Sequence, residues 1–225
     1  MYTTQENVRI VISLLKEYNI HHIVLNPGGT NIPIVQAVQD DSYFHCYSVP
    51  DERSAMYFAI GIYLQTGELV AVSCTSAQAT RNYIPGLTEA FYKHAPILAI
   101  TTSKLERFQY QDYMQAPDQM SLPVDSVKRS FDLPPVTDDN TRMQCINSAR
   151  EATHKLVLEL KLMSGKVKMV EFDVTDQVSR QPQGGVIVVN GIVVTPEEGE
   201  RPGGSGFDGD VNDWEENVDV DIPIS

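Results

Sequence analysis

Apolar positions along this chain follow a helical period in some stretches and form short continuous runs in others, and the two kinds alternate. Val8, Val11, Ile12, Leu15 and Tyr18 recur at helical spacing behind Thr3 and Glu6. This predicts a first helix opened by a reciprocal Thr3/Glu6 capping box and stopped near Asn19. Residues 22–26 form a short apolar strand, 27–31 (Pro-Gly-Gly-Thr-Asn) a turn, and 32–38 a second helix that tolerates Pro33 in its first turn. Residues 43–48 read as a strand. Asp51 then caps a helix to about Gln65, with Ala55, Phe58, Ala59 and Ile62 on one face and Gly67 closing it.

Residues 69–74 are uninterrupted apolar sequence, the kind of strand buried on both faces of a parallel sheet. Ser76 is placed to cap a helix running to about Tyr92, kinked at Pro85. Residues 97–101 give a fourth strand, 127–130 a weak segment, 141–163 a long amphipathic helix and 167–174 a last strand. Strands and helices alternating through short links predict an α/β fold, a three-layer sandwich whose mainly parallel central sheet is flanked by helices. This domain is expected to occupy residues 1–178. Residues 179–225 differ: β-branched residues surround Asn190-Gly191, a two-residue hairpin signal, and a Gly-rich link leads to alternating Val218, Val220 and Ile222. They read as a hairpin plus a short β-rich or disordered acidic tail.

Charge sharpens that division. The net charge is −13, and residues 196–225 alone hold ten acids and one base. The body is therefore nearly neutral. It has no basic face for nucleic acid, no apolar run of membrane-spanning length, and no basic and apolar leader at its N-terminus. Cys46, Cys74 and Cys145 are odd in number and widely spaced, which predicts neither a disulfide framework nor a metal pair, and the five histidines show no metal spacing. A reducing, cytoplasmic setting is the expectation.

The chemistry concentrates at the carboxyl ends of the predicted strands. Glu52 lies in Pro50-Asp-Glu-Arg-Ser-Ala55, at the first turn of a helix that follows a strand. The small-residue string Cys74-Thr-Ser-Ala-Gln-Ala-Thr-Arg-Asn82 follows the next strand. A lone acid in such a place is ordinarily a helix-terminal Glu favoured by the dipole; facing a small-residue loop, it is also a place to bind a ring and move a proton.

Four strings in this order, Asn26-Pro-Gly-Gly-Thr30, Asp51-Glu-Arg-Ser-Ala55, Cys74-Thr-Ser76 and Asn82-Tyr-Ile-Pro-Gly-Leu-Thr-Glu-Ala90, resemble the pyrimidine-binding (PYR) domain of thiamine-diphosphate-dependent enzymes. The likeness is greatest to the menaquinone-pathway SEPHCHC synthase and acetolactate-synthase-like group, and it covers about residues 4–175. The resemblance implies thiamine diphosphate as cofactor and Glu52 as the catalytic acid hydrogen-bonded to ring N1′. It implies Pro27, Gly28, Gln78 and Asn82 as further cofactor-binding residues, and Thr30, Asn31 and Gln115 on the substrate side. Many relatives carry Pro where this chain has Gln78. The menaquinone enzyme has a Ser-Arg pair where this chain has Thr30-Asn31, and an Arg where it has Ser103-Lys104, so that enzyme's substrate is not implied.

The resemblance also implies a second domain that holds the diphosphate and Mg²⁺ through hard oxygen ligands, and so no metal on this chain. Two readings follow. In one, the chain is the pyrimidine-binding half of a 2-oxo acid decarboxylase or carboligase, completed by a diphosphate-domain partner chain or by self-association as a homo-oligomer. In the other, it is a truncated or repurposed, non-catalytic domain used in binding or assembly.

Overall fold

A computed structural model of the 225-residue chain describes residues 3–163 and 187–193. By internal contacts the chain divides into two units, Met1–Thr195 and Pro196–Ser225. The described residues all lie in the first.

Six strands form one sheet: β1 (His22–Leu25), β2 (His45–Ser48), β3 (Val70–Cys74), β4 (Ile97–Ser103), β5 (Arg129–Asp132) and β6 (Ile187–Val193). Their order is β2-β1-β3-β4-β6-β5, and every pairing is parallel. Side chains alternate across each strand, so the sheet feeds two cores. Ile23 and Leu25 of β1, Ala71 of β3, and Leu98 and Ile100 of β4 pack with α1 (Glu6–Glu17), α2 (Ile32–Gln39) and α6 (Asp139–Met163). Val24, Val70, Val72, Cys74, Ile97 and Ala99 face the other way, against α3 (Glu52–Thr66), α4 (Gln78–Asn82) and α5 (Ile84–Tyr92). The expected three-layer α/β sandwich is thus observed. No helix among the described residues is long and apolar enough to cross a membrane.

Local signals explain both ends of α3. Asp51 accepts from the Ser54 N–H at 2.7 Å and caps α3, and Gly67 closes that helix at φ 71°. A Cβ at Gly86 would stand 2.4 Å from the Met56 Cβ, so glycine allows α5 to lie directly on α3.

Three expectations change. Thr3 Oγ1 accepts from the Gln5 N–H, and the Glu6 carboxylate pairs with Arg142 on α6, so no reciprocal box forms and Glu6 ties two helices together instead. The helix expected over residues 76–92 is two helices that break at Tyr83. Pro85 falls in the first turn of α5, where its missing N–H costs nothing, and the cap position of α4 is Ala77 rather than Ser76. Residues 187–193 are one strand rather than two arms of a hairpin. Ile100 faces Val189 and Thr102 faces Ile192, so Asn190-Gly191 together oppose Thr101 as a bulge. The backbone freedom that suits this pair to a turn also suits it to a bulge, and β4 and β5 supply ladders on both sides. The strands expected at 167–174 and 218–222, and the acidic tail, lie outside the described residues.

One fully buried side chain fastens the carboxyl ends of the strands. Asn26, the residue after β1, donates through Nδ2 to the Val49 carbonyl after β2 and accepts from the Tyr83 hydroxyl at 2.5 Å. Its own carbonyl accepts from Asn31 Nδ2 at 2.9 Å, and Asn31 Oδ1 accepts from Ser73 Oγ at 2.8 Å. Burial in these cores also pushes up the thiols: Cys46 and Cys145 to about 11 and Cys74 to about 12.

Two outcomes follow. Tyr83→Phe leaves Asn26 Oδ1 buried without its donor, and urea unfolding should show a loss of about 1–3 kcal/mol; unchanged stability would mean the bond contributes nothing. The thiols set an alkaline limit. The unfolded chain releases their protons near the ordinary value of 9, whereas the folded chain holds them to about 11–12. The native state therefore binds more protons in that window, so stability is intact below pH 9 and falls as pH rises through it. Replacing the three cysteines with Ala or Val should flatten that decline in a pH series of melting curves.

Candidate active site

The sheet order creates a switch point. β1 lies between β2 and β3; the connection through α2 covers one face and the connection through α3 covers the other. In open parallel sheets the crevice at such a point, beyond the carboxyl ends, is where ligands bind. Asn26-Pro-Gly, Val49-Pro-Asp-Glu and Thr75-Ser-Ala all converge there.

Glu52 is the first residue of α3 and is half-buried. The helix terminus favours its negative charge. Its Oε2 accepts from Asn82 Nδ2 at 3.3 Å, and its Oε1 has no hydrogen-bond partner among the described residues. The two sequence-predicted residues with the most direct role are thus in contact. Asn26 explains how, because it holds Val49, three residues before Glu52, and Tyr83, one residue after Asn82. Two neutral groups stand near the acid. Burial raises the Tyr83 phenol well above its ordinary value and Cys74 to about 12, and the Glu52 charge adds to both shifts. Both groups therefore stay protonated beside the carboxylate.

A second network stitches the strand ends. Thr30 Oγ1 lies 2.6 Å from both Thr75 Oγ1 and Thr102 Oγ1, joining the turn after β1 to the ends of β3 and β4. Gly28 makes room for this: a Cβ there would fall 2.5 Å from the Thr75 Cβ. Pro27 is exposed beside it.

The remaining predicted residues divide. Asn31 is fully buried and spends its amide on Asn26 and Ser73, so it braces the crevice from below. Gln78 is exposed at the start of α4, and Gln115 is exposed at φ 57° in the segment between β4 and β5. Neither is hydrogen-bonded to Glu52.

Two features were not anticipated. Ala77 sits at φ 66°, ψ −120°, a conformation natural to glycine. It costs of order 1–3 kcal/mol for a residue with a Cβ and persists only where surroundings enforce it. The second is Gln119, four residues beyond Gln115. It is 3 % exposed and accepts from the Ala77 N–H at 3.1 Å. A glutamine in an irregular polar segment carries no periodic signal, so only the fold distinguishes the two. Ser76 Oγ, also buried, has no hydrogen-bond partner.

Comparison with known proteins gives this geometry a context. The chain is 36% identical over 156 residues to the 2-succinyl-5-enolpyruvyl-6-hydroxy-3-cyclohexene-1-carboxylate synthase of Bacteroides fragilis, covering 69% of this chain and 28% of that protein. It is 39% identical over 158 residues to the enzyme of the same name from Phocaeicola vulgatus, covering 68% of this chain and 28% of that one. The chain thus spans little more than a quarter of these relatives' length. Among solved structures, a thiamine diphosphate-dependent 4-hydroxybenzoylformate decarboxylase from Rhodococcus jostii RHA1 superposes with a TM-score of 0.59 at 22% identity, over 82% of this chain and 30% of that one. That likeness establishes a shared fold. The family model described as "Thiamine pyrophosphate enzyme, N-terminal TPP binding domain" matches residues 6–122, more than half of the chain. The chain belongs to this family, whose cofactor is thiamine diphosphate, and carries its N-terminal cofactor-binding domain.

Proposed function

We propose that this chain supplies the pyrimidine-binding half of a thiamine-diphosphate-dependent 2-oxo acid decarboxylase or carboligase, and that a diphosphate- and Mg²⁺-binding domain outside these 225 residues completes the site. The carrying observation is the Glu52 carboxylate at the crevice, with one oxygen engaged by Asn82 and the other without a hydrogen-bond partner among the described residues. That donor set fits an aminopyrimidine ring: the free oxygen accepts from, or shares a proton with, a ring nitrogen.

When bound, thiamine diphosphate supplies a nucleophilic carbon for attack on a 2-oxo acid and takes up the charge left by decarboxylation. The chain's own contribution is positional and acid–base. Glu52 holds or shares the proton at ring N1′. Asn82 keeps the carboxylate in place and lies against the same ring. Pro27 and Gly28 bring backbone up to the cofactor, and Gln78 borders it from the start of α4. Thr30 and Gln115 lie toward the substrate, and Asn31 acts through Asn26.

The need for a second domain is supported by length, since the matched relatives extend far beyond the part this chain covers. Partnering takes place with a separate diphosphate-domain chain or through self-association. The donor and acceptor follow from residues that this half shares with its partner.

Calorimetric titration tests the split. Thiamine diphosphate with Mg²⁺ should bind the chain weakly by itself and tightly once the diphosphate domain is added; tight binding to the isolated chain would refute the divided site. In the complete assembly, Glu52→Gln should lower the rate of cofactor C2 proton exchange by about 10²–10⁴-fold with little change in melting temperature. Exchange at the full rate would show that another group is the acid.

A further inference from the structure

Helix α4 carries Asn82, yet it is only five residues long and its cap residue, Ala77, contributes no side-chain capping bond. So short a helix does not hold itself. Its register must be imposed from outside, and the strained Ala77 backbone makes the demand greater.

Gln119 meets that demand. Its Oε1 accepts from the Ala77 N–H at 3.1 Å, and its Nε2 donates to Thr80 Oγ1 at 3.1 Å, in the middle of α4. The same Nε2 lies 3.1 Å from the Thr102 carbonyl and 3.4 Å from Thr101 Oγ1, both on β4. One buried carboxamide therefore locks the start and middle of α4 to the end of a central strand. The next turn of chain adds a tie at the far end of the helix. Arg81 Nη2 donates to the Asp118 carbonyl at 2.7 Å, and Asp118 in turn accepts from the Met120 N–H at 2.8 Å, which stiffens the segment that carries Gln119. Arg81 immediately precedes Asn82.

We propose that Gln119 is a positioning residue for the acid of the site: by pinning the Ala77 turn and α4 to β4, it sets the place of Asn82 and so the Asn82–Glu52 contact. The proposal rests on the reading of Glu52 as the site's acid, but its test needs no cofactor.

The test uses NMR on the full chain. In the wild type, Glu52→Gln should shift the Asn82 carboxamide resonances, because the two groups are bonded. In Gln119→Met, which preserves volume and removes the polar ties, that response should be lost, and amides 77–83 should exchange at least about tenfold faster while those of β1 and α1 are unchanged. Adding Ala77→Gly, which adopts the turn without strain, should restore much of the response. Thr80→Val, which removes one acceptor at equal volume, should move both readouts the same way to a smaller extent, and it carries the test if Gln119→Met does not fold. An Asn82 response that survives Gln119→Met or Thr80→Val undiminished overturns the proposal, as does a loss of response that Ala77→Gly leaves unrepaired. Loss of the response in Gln119→Met, together with full-rate cofactor C2 proton exchange by the Glu52→Gln assembly, would uphold the clamp and overturn the reading of the acid.

Discussion

The buried carboxamide of Asn26 is the constraint on which the crevice depends. It engages the Val49 carbonyl on one side and the Tyr83 hydroxyl on the other. Those two partners flank the segments that deliver Glu52 and Asn82. A parallel sheet leaves strand ends with no ladder to fix them, and the links that follow are irregular. A single amide with a donor and an acceptor aimed at different links removes that freedom at little cost, because each of its polar atoms finds a partner away from water. Asn31 and Ser73 extend the same logic one layer down.

Around this fixed point the crevice is held with polar bonds. Thr30, Thr75 and Thr102 knit three strand ends through their hydroxyls, and Gln119 holds the start of α4 against β4. The backbone is strained for this arrangement at Ala77. One oxygen of Glu52 has no hydrogen-bond partner among the described residues. Tyr83 and Cys74 stay protonated behind it, because burial raises both.

Much of this was legible beforehand wherever a local rule and the tertiary fold demand the same thing. The continuous apolar run of β3 could serve only a strand covered on both faces, and Asp51 with Ser54 and Gly67 marked both ends of α3. Glu52 and Asn82 were each named through resemblance, and only the fold shows that they are bonded to each other, since residues thirty apart have no local signal that joins them. Reading failed where two structures satisfy one local preference. Asn190-Gly191 suits a turn and a bulge alike, and only neighbouring strands select the bulge. Thr3 and Glu6 suit a capping box, yet Arg142, far along the chain, offers Glu6 a charged partner. Asn31 was placed on the substrate side through resemblance; it is fully buried and its amide is bonded to Asn26 and Ser73. Gln115 and Gln119 are indistinguishable as letters and differ only in which one the fold turns inward.

The central claim is that Glu52 is the partner of the cofactor's pyrimidine ring. A crystal structure of the chain assembled with a diphosphate-binding domain, thiamine diphosphate and Mg²⁺ tests it most directly. The account predicts a Glu52 carboxylate oxygen within about 3.2 Å of ring N1′, at hydrogen-bond distance, with Asn82 still engaged on the other oxygen. A pyrimidine ring bound elsewhere, or N1′ facing a different acid, would contradict it.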